Sequence, residues 1–237
     1  MGITSTEGTG GPWLPFFLQT ADALFPTGSY AHSLGFEEIV RLGIVRDEAT
    51  LKTFLLEHIL PAQRAQELPY LRFAHNAATA GDISKLCEID MEISAWKLAA
   101  ETREASAQLG TRRLTALRAI ADTSMLQSFS EAVRAGAARG HHLVVCALQA
   151  SIEGVPIRFA LGAAAYQALA AICTAALKLI RIGQNGVQRA LRSACLEIEP
   201  TIELSFSVHR HSAGWFNPLL EIASMRHARA EERLFIS

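Results

Sequence analysis

The chain has 237 residues and a mass of 25.7 kDa, enough for one large domain or two small ones with a core that needs no covalent staples. With 22 basic and 23 acidic residues the formal charge is −1, which argues against a nucleic-acid partner or a polybasic membrane surface. Half of the residues are apolar and 19% are charged, so the chain is not disordered, and a mean hydropathy of +0.19 calls for a large core, a membrane or a subunit interface.

Residues 1–11 are rich in Gly, Thr and Ser and read as a flexible tail without the basic and apolar regions of a signal peptide. Residues 12–237 read as a single all-helical domain. There are 39 Ala against 8 Val, which favours helix over strand. Leu51, Phe54, Leu55 and Ile59 follow helical spacing, and Pro61 predicts a stop or a kink. Ala80-Gly81-Asp82 predicts a helix end followed by an N-cap. Ile83 to Leu109 reads as one long helix ended by Gly110, with Thr111 capping the next, which carries Leu114, Leu117 and Ile120 on one face. Arg139-Gly140 and Glu153-Gly154-Val155-Pro156 read as breaks.

Phe159 to Leu177 is a run of 19 uncharged residues, close to a membrane-spanning length. Nine of them are Ala and Gln167 sits near the middle, so the segment reads as a packed helix rather than a lipid-facing one. Ala160, Ala164 and Ala168 form a small-residue stripe against which another helix can approach closely, within the fold or at a homodimer seam. Gly183 punctuates, a helix runs through Leu191, residues 197–218 read as loop, and a short helix leads to the C-terminus. The sum is a bundle of about eight to ten helices.

Cys87, Cys146, Cys173 and Cys195 lie 59, 27 and 22 residues apart, with no C-x-x-C pair. They read as small buried hydrophobes of a reducing compartment, with the cytoplasm as default. No P-loop is present. His142 and Cys146 share a helix face but make only two ligands, and His209 and His211 read as exposed loop histidines, so no metal site is expected. Ala31-His32-Ser33-Leu34-Gly35 fits a relaxed nucleophile elbow, which would make Ser33 a hydrolase nucleophile. An elbow needs a strand before it, and a Pro/Gly loop stands there. Glu37-Glu38 and Glu231-Glu232 are neighbours that diverge on a helix, so neither pair is an acid/base dyad. No catalytic residue and no tightly bound cofactor are expected. The chain ends on Arg233-Leu234-Phe235-Ile236-Ser237, an apolar tail that reads as docking on its own body or on a partner.

Four blocks in order resemble one family. Phe17 to Glu37 is similar to an opening with the spacing Leu-Gln, then Pro-x-Gly, then Ser-x-Gly-Phe-Glu. Glu101-Thr102-Arg103 through Gly110 is similar to a Glu-x-Arg helix ending in Gly. Lys178-Leu179-Ile180 with Gly183-Gln184 and Gln188, and finally His227 with Arg233-Leu234-Phe235-Ile236-Ser237, complete the set. Together they resemble the urease accessory protein UreF family. Arg181 stands where that pattern has Pro, Ala228 replaces a Glu, Glu231 replaces an aromatic, and Val187 follows an early Gly.

The resemblance implies a non-enzymatic, all-helical homodimer. It implies a complex with UreD (also called UreH) and the GTPase UreG that delivers nickel to apo-urease, with nickel handled by the complex. It implies that Glu37 and Lys178 take part in UreG engagement, that Gly183, Gln184 and Gln188 form a partner or dimer face, and that Arg233, Leu234, Phe235 and Ser237 dock on the UreD/UreH-type partner.

Overall fold

A computed structural model describes residues 11–22, 24–28, 35–230 and 234–235. Helix makes up 75% of it, with no strand among the described residues, as the Ala-rich composition predicts. The helices are α1 (Leu14–Ala21), α2 (Phe36–Arg41), α3 (Glu48–Phe54), α4 (Leu60–Ala62), α5 (Leu68–Thr79), α6 (Ile83–Trp96) and α7 (Ala100–Ala121). They continue with α8 (Ser124–Arg134), α9 (His142–Ile152), α10 (Ile157–Leu179), α11 (Gln184–Cys195), α12 (Ile198–Phe206) and α13 (Pro218–His227).

The Ala-rich helix α10 runs between two cores. Its first half places Ala160, Leu161 and Ala165 against Leu71 and Ala74 of α5 and Val144 and Leu148 of α9 in one cluster. Its second half places Leu169, Ile172, Cys173 and Ala176 with Phe36 and Ile39 of α2, Leu51 and Phe54 of α3, and Val187 and Ala190 of α11 in the other. This is the one described helix long and apolar enough to cross a membrane, and its apolar side chains are shared between two helix-lined cores. Its opposite side leaves Phe159, Tyr166 and Leu177 exposed.

Local signals explain several boundaries. Asp82 accepts the Lys85 N–H at 2.9 Å and caps α6, as the Gly-Asp pair predicts. Asp47 and Thr50 form a reciprocal capping box at α3. Pro61 does not stop its helix. From Glu48 to Thr79 the chain stays helical, with wider π-turns at Leu55–Ile59 and Gln63–Glu67. Pro69 offers no N–H to the carbonyl four residues earlier. That carbonyl, on Ala65, instead takes the Gly214 N–H at 2.9 Å, which ties the 208–217 segment to this helix.

Three expectations are corrected. Ile83 to Leu109 is two helices: α6 ends at Trp96, and Arg103 donates back to the Lys97 carbonyl at 2.8 Å across the break. The helix α7 then passes straight through Gly110 and Thr111. Gly110 is a point of contact rather than an end, because a Cβ there would overlap the Gly140 carbonyl oxygen and press on the His142 nitrogen. The crossing strand of chain is fixed by Asp90, which accepts the N–H groups of Arg139, Gly140 and His141 at 2.5, 3.1 and 2.7 Å. Finally, residues 197–218 contain α12 and a 3₁₀ turn. Pro200 sits in the first turn of α12, where no intrahelical N–H is required.

Replacing Gly110 by Ala should cost about 3 kcal/mol by overpacking backbone against backbone. Replacing Gly183, where an added Cβ meets nothing within 4 Å, should change stability by less than about 0.5 kcal/mol. Urea denaturation midpoints of the two variants test this contrast.

Candidate partner-docking site

The helix α2 starts at Gly35, whose φ of +83° lies in the left-handed region. A Cβ at this position would come within 2.6 Å of the Ser224 hydroxyl and 2.9 Å of its backbone nitrogen. Only a glycine therefore lets the start of α2 lie against α13. That approach aims Glu37, in the first turn of α2, at His227, the last residue of α13. Glu38 diverges from it, as adjacent helical residues do, and pairs with Arg41 at 2.5 Å.

A continuous line of contacts follows. Glu101 of α7 places Oε2 3.0 Å from His227 Nδ1, and His227 Nε2 lies 3.1 Å from Glu37 Oε2. The same Glu37 carboxylate accepts the N–H of Leu234 at 2.9 Å and of Phe235 at 3.1 Å. The Phe235 side chain drops into the second core, 5% exposed, and the Lys178 ammonium stands 5.1 Å from its ring centroid. Leu234 points the other way, 62% exposed. His227 is buried, and burial by itself pushes the Glu37 carboxyl up. The Leu234 N–H, the His227 ring and the Phe235 N–H outweigh it and hold Glu37 below the ordinary carboxylate value.

One residue from each of the four sequence blocks stands in this line: Glu37, Glu101, Lys178 and His227 with the tail. The structure thus brings together Glu37, Lys178, Leu234 and Phe235 from the expected set. Gly183, Gln184 and Gln188 lie on an exposed surface at the start of α11, and among the described residues Gln184 and Gln188 make no side-chain hydrogen bond. Gln188 lines an open depression with Lys52, Arg189 and Arg192, where Glu48 holds Arg189 through two bonds of 2.6 and 2.8 Å. Arg233, Ser237 and Ser33 lie outside the described residues. Sequence reasoning did not single out Glu101 and His227, which join this line of contacts. Both stand inside the quoted blocks, but nothing in their spacing shows that they meet.

The other candidates resolve locally. His142 and Cys146 do share a face, with Nε2 and Sγ 3.4 Å apart. Burial pushes this thiol up, and Arg113 and His142 bring it down to about 7. His141 is fully buried between the hydroxyls of Ser94 and Ser106, and burial pushes its ring down to about 3. His209 and His211 are exposed and stacked, ring centroids 5.7 Å apart. Among the described residues, no three His, Cys, Asp or Glu side chains gather as a metal site.

The described residues thus form an all-helical body in which Glu37 joins the start of α2 to the end of α13 and to Leu234 and Phe235. The UreF family profile matches residues 45–195. Over 224 residues the chain is 35% identical to the urease accessory protein UreF of Paenarthrobacter aurescens (strain TC1), covering 92% of this chain and 96% of that one. The UreF of Arthrobacter sp. (strain FB24) is 33% identical, covering 92% and 95%. That of Haemophilus influenzae (strain PittGG) is 29% identical over 220 residues, covering 93% and 94%. This chain belongs to the UreF family.

Glu37 has a folded pKa below its ordinary value of 4.5, so its contribution is fully present above that value and lost as pH falls through the folded one. Glu37→Gln should therefore lower stability by about 1–3 kcal/mol at neutral pH, the worth of hydrogen bonds to a charged group. The gap from the parent should close as the pH drops below 4.5. Chemical denaturation of both proteins across the acid range measures it.

Proposed function

We propose that this chain is a urease maturation factor: a cytoplasmic, non-enzymatic scaffold that dimerises, binds UreD/UreH and recruits UreG for delivery of nickel to apo-urease. Membership of a family whose relatives are urease accessory proteins supports the general role. The observation that carries the partner-binding part is the Glu37 clamp on the tail. It presents Leu234 to solvent while Phe235, with the Lys178 ammonium over its ring, is seated in the second core. Exposed Phe159, Tyr166 and Leu177 on α10 give a second copy an apolar face of the kind a dimer seam buries.

The mechanism is conformational. The dimer holds two GTPase subunits and favours the nucleotide state that releases nickel, with Glu37 and Lys178 at the contact and the Gly183, Gln184 and Gln188 surface as a second one. Arg233, with five donors in a fixed fork, and Ser237 add to the tail's hold on the UreD/UreH-type partner. Coupling of this kind requires different contacts in the two nucleotide states of UreG. A hydrolase based on Ser33 lacks the strand that a nucleophile elbow needs among the described residues.

Size-exclusion chromatography with light scattering tests the reading on the chain alone and mixed with cognate UreD/UreH and UreG. A dimer is expected that binds both and loses UreD/UreH when the chain is truncated before Arg233. UreG should bind with an affinity that depends on its nucleotide. A chain that elutes alone in every mixture, or a UreG affinity indifferent to nucleotide, contradicts it.

A further inference from the structure

We propose that Cys146 is a nucleophilic thiol, set between His142 and the buried guanidinium of Arg113, and that small hydroperoxides oxidise it. Arg113 of α7 is 5% exposed, and among the described residues it has no carboxylate partner. Its guanidinium donates to the Gln149 carboxamide oxygen at 3.0 and 2.5 Å and to the Thr20 carbonyl at 3.1 Å. The Phe25 ring lies over it, 5.3 Å away. All three neighbours are neutral, and a buried cation without a counter-charge favours the ionised form of any acid beside it.

Cys146 is that acid. Gln149 lies three residues after it on α9 and His142 four before it, so the three side chains share one face of the helix, and Gln149 bonds Arg113 there. Cys146 is half-buried, with Sγ 3.4 Å from His142 Nε2. The other ring nitrogen, Nδ1, is buried without a hydrogen-bond partner. If the thiol donated to Nε2, the ring proton would sit on Nδ1 as a buried N–H with no acceptor, the rarer defect. With Nε2–H donating to a thiolate, Nδ1 keeps only a lone pair. Among the described residues, no charged group of α5, α6, α8 or α10, which also pack on α9, acts on this thiol. Burial by itself raises it, yet Arg113 and His142 bring it down to about 7, whereas burial pushes Cys87 and Cys195 up and Cys173 up to about 12.

A partly exposed thiolate admits a reagent as small as hydrogen peroxide. Its sulfur attacks one peroxide oxygen, an S–O bond forms as the O–O bond breaks, and the other oxygen leaves as hydroxide. The hydroxide takes the proton of the new S–OH, so thiolate and hydrogen peroxide become sulfenate and water. Sulfur is oxidised and the peroxide is reduced. The product is still an anion beside Arg113, so the cluster keeps its charge balance. The same guanidinium holds the Thr20 carbonyl, which places the modification one contact away from the anchor of α1.

The test treats the full-length chain with hydrogen peroxide at neutral pH in the presence of dimedone, which captures sulfenate, and locates the adduct by peptide mass spectrometry. Cys146 should be labelled first, at least about fivefold faster than Cys87, Cys173 or Cys195, because those thiols are almost wholly protonated there. The thiolate absorbance that disappears in Cys146→Ser, followed against pH, should have its midpoint at about 7. In His142→Leu that midpoint should rise by about one pH unit and the labelling rate should fall. The labelling order in the parent chain needs no variant, so it decides the proposal even where a variant fails to fold. A Cys146 labelled no faster than the other three, or not at all, overturns the proposal. Fast labelling with a midpoint unchanged in His142→Leu overturns the part of His142.

Discussion

Glu37 accepts the N–H groups of Leu234 and Phe235 and faces a ring nitrogen of His227, so one carboxylate joins the start of the helical body to its end across 190 residues and more of sequence. Everything around it serves that meeting. Gly35 removes the side chain that would hold α2 off α13. The second core receives Phe235, and the end of α10 delivers Lys178 above its ring. The hydrogen bonds alone would be modest in water, but beside a buried ring and a packed aromatic they are shielded, and leaving one unmade is costly.

The central helix makes this geometry possible. Because α10 belongs to both cores, the position of Lys178 is set by packing about five turns away, at Ala160 and Leu161, as much as by its neighbours. The close crossing of α7 at Gly110 plays the same part for Glu101. It seats α7 against the chain that Asp90 holds, about two and a half turns along the helix from Glu101. Two small residues, Gly35 and Gly110, thus set the separations on which the charged groups depend.

The helical class, the cap at Asp82 and the packed character of α10 were legible because each rests on local chemistry or on composition. The errors share one cause. Gly110 is a local helix breaker that a tertiary contact overrides, Pro61 is accommodated between two widened turns where a stop or a kink is expected, and the 197–218 segment reads as loop although the first turn of α12 tolerates Pro200. Glu37, Lys178, Leu234 and Phe235 stand in the sequence blocks, and the structure brings these four together. That the blocks converge, and that His227 and Glu101 form the link between them, belongs to the three-dimensional arrangement, since contacts separated by 126 and 190 residues leave no period in the sequence. Gly183, Gln184 and Gln188 belong to a different surface, with an ordinary backbone at Gly183.

The Glu37 carboxylate and the seated Phe235 are coupled energetically. A double-mutant cycle on unfolding free energy, combining Glu37→Gln with Phe235→Ala, measures that coupling. If the clamp and the aromatic act as one unit, the double variant should lose less than the sum of the single losses by about 1–3 kcal/mol. Losses that add within about 0.5 kcal/mol would show that the tail is held independently of Glu37, and the account would fail.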